Sequence, residues 1–155
     1  MESSVSRRAA VRGAVVLGAV AGLFGSVAVA MAAPMSFTVP LSGAQSVPAV
    51  QTKGHGLAHL TFNPASDMLS WAVSYSTMSS PVTMAHFHMA PAGKNGPVAL
   101  WISKKGAKVP DPIKGSAKLS PAQAKEFMAG DWYINVHTKK HPAGEIRGQV
   151  KPPKA

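Results

Sequence analysis

From residue 36 onward, apolar and polar residues alternate with a period of two, and the runs are broken by Gly, Pro, Asn and Ser. That alternation is the mark of half-buried strands, since successive side chains of a strand point to opposite faces. It predicts strands over 37–41, 57–62, 69–75, 83–89, 98–102, 115–119, 132–137 and 145–150. In the second, Ala58, Leu60 and Phe62 share a face; in the third, Leu69, Trp71, Val73 and Tyr75 do. Residues 63–67, Asn-Pro-Ala-Ser-Asp, are turn chemistry between them. One segment departs from period two. Ser120 is placed as an N-cap, Pro121 as the first helical residue, Gln123 as the capping-box partner and Gly130 as the stop, so 120–129 is predicted as a short helix. The reading is an all-β fold: an antiparallel, Greek-key-like β-sandwich of seven or eight strands with one short helix.

The first thirty residues follow another pattern. Arg7, Arg8 and Arg12 precede an uncharged run over 13–30 that ends in Ala28-Val29-Ala30. This is the basic region, apolar core and small-residue cleavage site of an export signal. Ser6-Arg7-Arg8-Ala9-Ala10-Val11-Arg12 resembles a twin-arginine motif, with Ala10 where that motif prefers Phe. The expectation is a signal over 1–30, a single mature domain over 31–155 with a short basic tail, no stable membrane span after cleavage, and a periplasmic or secreted location.

Composition narrows the chemistry. The chain lacks cysteine, which removes disulfide scaffolds, thiolate metal sites and cysteine nucleophiles. The net charge is +10, and the lysines are scattered over loops and strand ends without interleaved aromatics, which argues against nucleic acid. Anionic cell-envelope components or another envelope protein suit that surface better. Six histidines among so few charged groups carry the most information. His86 and His88 stand two apart on a predicted strand and share a face with Met84, while Phe87 points the other way. His137 stands on a later strand in phase with Tyr133 and Asn135. Three neutral imidazoles suit a copper or zinc ion, and the Met84 thioether puts copper ahead of zinc. The competing reading is that these are structural histidines holding loops. His55 and His59 are second-choice ligands beside mobile glycines, and His141 belongs to a solvated turn.

Around them, Gly93 and Gly96 suit a tight loop after the His-x-His strand. Glu145, Arg147 and Gln149 are expected on one face, with Ile146 and Val150 turned to a core and Glu145 paired to Arg147. Asn135 is expected to fasten a loop through its amide. Glu145 and Arg147 either satisfy backbone groups or orient a ring or a bound anion near the histidines. No Gly-x-Ser-x-Gly or Ser-x-x-Lys pattern and no obvious carboxylate pair points to an enzyme.

Four ordered motifs together resemble the CHRD (chordin-type) domain: Leu41-Ser42-Gly43-Ala44-Gln45-Ser46-Val47-Pro48, Ala85-His86-Phe87-His88, Pro91-Ala92-Gly93-Lys94-Asn95-Gly96-Pro97-Val98, and Tyr133-Ile134-Asn135-Val136-His137-Thr138 with Pro142-Ala143-Gly144-Glu145-Ile146-Arg147-Gly148-Gln149. The resemblance covers 36–150 and implies an all-β secreted or periplasmic module of the stand-alone bacterial kind. Ser46 stands where that family usually carries Glu. The His-x-His strand with a late third histidine is also similar to the copper side of Cu/Zn superoxide dismutases, but the zinc Asp loop and the Cys pair are missing, so dismutation is not expected. A cupin would need a Glu shortly after His88, where this chain has Lys94. Two classes remain: a metal-binding module and a non-catalytic adhesion or interaction domain.

Overall fold

The alternating stretches form eight strands: β1 (Met35–Ser42), β2 (His55–Asn63), β3 (Met68–Ser76), β4 (Val82–Met89), β5 (Val98–Trp101), β6 (Ile113–Lys118), β7 (Trp132–Thr138) and β8 (Ile146–Gln149), with one helix, α1 (Pro121–Ala129), between β6 and β7. The structure is a computed structural model that describes residues 33–104 and 106–154. The expected export signal over 1–30 lies outside the described residues. Among those described, no helix is long and apolar enough to cross a membrane.

All eight strands belong to one antiparallel sheet in the order β5-β4-β7-β8-β1-β2-β3-β6. The β1–β2–β3 meander runs in register from Met35 opposite Phe62 to His55 opposite Ser76, and β8 returns beside β1 in the manner of a Greek key. The sheet curls over on itself. Trp71 of β3 meets Phe87 of β4 edge-on, ring centroids 5.6 Å apart, although four strands lie between them in the sheet order. The apolar face thereby encloses one core, and burying each large apolar side chain there contributes roughly 1.5–3 kcal/mol.

The helix closes this core. The Ser120 Oγ accepts from the Gln123 N–H at 3.2 Å and the Gln123 Oε1 accepts from the Ser120 N–H at 3.0 Å, so the predicted capping box is formed. Gly130, at φ 82°, ends the helix in the left-handed conformation. Its fully buried Phe127 packs on Phe62, Trp132 and Phe37, with centroids 5.2, 5.7 and 6.2 Å away.

What positions the site is the other face of the same strands. In β4, Ala85 and Phe87 enter the core; in β7, Trp132, Ile134 and Val136 do; in β8, Ile146 does. The intervening residues therefore project outward, as the period of two requires. They are nonetheless buried: Tyr133, Asn135, His137 and Arg147 lie under the loops that follow β1, β4 and β7. The curled half-barrel thus has an apolar layer inside and a polar layer between its outer face and those loops.

Candidate metal centre

Strand pairing brings the three histidines together. In the β4–β7 ladder Met84 lies opposite His137, His86 opposite Asn135 and His88 opposite Tyr133, so His137 is the diagonal neighbour of His86 on the outer face. The His86 and His137 ring centroids are 5.0 Å apart, and one ligand nitrogen from each of His86, His88 and His137 lies within 4.8 Å of the others.

The hydrogen bonds fix the tautomers. His137 Nδ1 lies 2.9 Å from the Pro142 carbonyl and His88 Nδ1 lies 3.0 Å from the Gly96 carbonyl. A carbonyl only accepts, so both Nδ1 atoms carry the proton and both Nε2 atoms present lone pairs. His86 Nδ1 donates in turn to His137 Nε2 at 3.1 Å, which leaves a lone pair on His86 Nε2. The Nε2 atoms of His86 and His88 are buried without a hydrogen-bond partner. Buried orphan acceptors are costly, and a cation satisfies them. Two ring nitrogens bound at 2.0–2.1 Å to one tetrahedral ion lie about 3.3 Å apart. The His86 Nδ1–His137 Nε2 contact at 3.1 Å is close to that spacing but is a hydrogen bond, so an ion held between these two rings takes the place of that bond.

The electrostatics keep these rings neutral. Burial, followed by repulsion from His137 and His88, pulls His86 down to about 4. Burial also lowers His88, against the Gly96 carbonyl, which raises it, and Arg147 lowers it further. His137 is lowered by burial, opposed by the Pro142 carbonyl, with a smaller push from His88. Neutral imidazole is the form that binds a metal.

The walls of the cluster come from Trp101, which the sequence pattern did not single out, and from Tyr133 and Arg147, which it did. The Trp101 indole stands edge-on to His86 at 4.2 Å. The Tyr133 ring stacks on His88, 4.9 Å away and 8° from parallel, and the Arg147 guanidinium lies 3.5 Å from the centre of that same ring. Alternation along β7 signals that Tyr133 shares the His137 face. The Gly96 and Pro142 carbonyls carry no such signal, because any residue supplies a carbonyl and only the loop path aims it.

Gly96 and Gly144 allow those loop paths. A Cβ at Gly96 would strike the Met89 carbonyl, and one at Gly144 (φ +116°) would strike the Asn135 amide. Asn135 Nδ2 donates to the Ala143 carbonyl at 3.1 Å, so it fastens the loop as expected.

The expected Glu145–Arg147 pair does not form. Glu145 lies at a bend just before β8 rather than within it, and its carboxylate turns away. There it accepts from Thr52 Oγ1 (2.6 Å), Ser79 N–H (2.9 Å), Ser79 Oγ (2.7 Å) and Thr138 Oγ1 (2.7 Å). Burial alone would raise this carboxyl, but those four bonds hold it at about 2. Arg147 bonds Asn95 Oδ1 and Gln149 Oε1, each at 3.2 Å.

His55 and His59 stay apart from the cluster on β2, where His55 Nε2 is 2.9 Å from Ser76 Oγ. His141 is half-buried in the loop after β7. Met84 is half-buried at its place opposite His137. Among the described residues, the cluster includes no carboxylate.

Comparison with protein families gives one match, to the CHRD domain, over residues 37–150. No curated protein and no solved structure matches the chain.

Proposed function

The chain belongs to the CHRD-domain family, and from that premise we propose that it is an exported metal-binding module that holds one ion through His86, His88 and His137, with copper ahead of zinc. The observation that carries this reading is the convergence of three neutral imidazoles with two buried, unpartnered Nε2 atoms among them. Copper is favoured over zinc because the set lacks acidic ligands and because Met84, on the outer face of the same strand, offers a soft thioether. Export is supported by the arginines and uncharged run at the N-terminus. The role proposed is binding rather than catalysis.

The test is to titrate copper, under reducing and oxidising conditions, and zinc into the protein and into His88→Ala and His137→Ala. One equivalent should bind, and each replacement should weaken binding at least about a hundredfold. Unchanged stoichiometry and affinity in both folded variants would overturn the site. N-terminal sequencing of exported material should begin near Met31 or Ala33; recovery of Met1 from a membrane fraction would overturn cleavage. The second reading, a non-catalytic interaction domain, draws on edge strand β5, where Val98 and Trp101 are exposed. Protein that binds neither metal would favour it.

A further inference from the structure

Arg147 is 2% exposed, yet its guanidinium bonds only neutral acceptors, Asn95 Oδ1 and Gln149 Oε1, and lies on the face of Tyr133. Among the described residues no carboxylate pairs with it, and Glu145, two positions earlier, is fully engaged by hydroxyls and an amide. A guanidinium does not escape this cost by losing its proton, so a buried one calls for a counter-charge. Arg147 forms part of the wall of a cavity of about 200 Å³, and the exposed Lys140 adds a second positive charge to that wall. The rest of the lining sets an apolar side of Val47, Pro48, Val50 and Pro142 beside the polar Ser46, Asn95 and His141.

We propose that this cavity is a binding site for a small organic carboxylate, its charged head on Arg147 and its apolar body against Val47, Pro48 and Pro142. Guanidinium and carboxylate match as a planar two-point pair. The apolar walls select an organic acid over inorganic phosphate, and the volume lies below the roughly 300–1,000 Å³ of pockets for drug-sized ligands. The site is separate from the histidine cluster and needs no metal. The two are neighbours, since His88 and Arg147 lie against the same Tyr133 ring and Pro142 both lines the cavity and accepts from His137.

The experiment titrates isovalerate, acetate and inorganic phosphate into the metal-free full chain by calorimetry, with amide shifts of Asn95 and Asn135 followed by NMR. Isovalerate should bind saturably, about tenfold more tightly than acetate because its extra methyl groups are buried, and more tightly than phosphate. Ser46→Glu, which puts a carboxylate into the same cavity, should weaken isovalerate at least about tenfold, and Arg147→Gln should do the same. Should Arg147→Gln fail to fold, Ser46→Glu and the exposed Lys140→Glu, expected to weaken binding about threefold, decide the matter. The proposal is overturned by the absence of saturable isovalerate binding, by phosphate binding as tightly as isovalerate, or by unchanged affinity in the folded Ser46→Glu and Lys140→Glu proteins.

Discussion

Glu145 is a buried acid with no cation paired to it among the described residues, and there it is held by hydroxyls and one backbone amide. Those donors come from three places far apart in sequence: Thr52 before β2, Ser79 before β4, and Thr138 at the end of β7. The residue therefore ties three loops at one end of the fold. Glu145→Gln keeps the shape but turns one acceptor into a donor facing donors, and should cost about 2–3 kcal/mol in denaturant unfolding. The pH dependence follows from the same bonds. The folded carboxyl sits at about 2 against an ordinary 4.5, so its stabilisation is full above 4.5 and is lost as pH falls from 4.5 through 2. His86, held down at about 4, works in the same direction over a higher window: it is neutral in the fold, while the unfolded ring takes up a proton below 6.5. Acid unfolding should thus steepen in two stages, and Glu145→Gln should flatten only the lower one, as followed by tryptophan fluorescence. Residue spacing alone suggested that Glu145 would meet Arg147. Nothing local reveals that a bend before β8 turns the acid toward Thr52 and Ser79, which lie 93 and 66 positions away.

At the scale of elements, the strands and the helix were legible because burial of one face imposes alternation, and because a Ser-Pro-x-Gln start and a Gly stop are local chemistry. The helix should lose about 1 kcal/mol in Ser120→Ala, measured by thermal unfolding, since the Gln123 N–H in its first turn loses its acceptor. His86 and His88 were legible as a pair for the same reason of period. That His137 joins them depends on β4 pairing with β7, a contact across 51 positions that no local pattern encodes. The loops were the illegible part, and they set the tautomers. Gly144→Ala should disturb the 139–144 loop through both the positive φ and the collision with Asn135. Its expected effect is a loss of about 1–3 kcal/mol in stability with weakened metal binding, because the Pro142 carbonyl no longer holds His137 in register. Equal metal affinity in Gly144→Ala would show that His137 does not depend on that carbonyl.

For the whole molecule, the curled sheet separates stability from chemistry by face. Phe127→Ala should remove about 3–5 kcal/mol by opening a cavity beneath α1, yet leave metal stoichiometry unchanged while the protein remains folded, since the outer layer does not touch that ring. The separation has a consequence for how such a chain tolerates change in length. Along β4 the imidazoles interleave with Ala85 and Phe87, so each ligand sits one step from a core residue. Losing or gaining a single residue within the regular stretch from Met84 to His86, beyond the irregularity at Val82–Met84, would exchange the two layers, pressing imidazoles into the hydrocarbon interior and turning Phe87 outward. Losing or gaining two would leave both layers intact. The constraint on the regular part of this strand is therefore one of parity, and the spacing between ligand and core is fixed as a single unit.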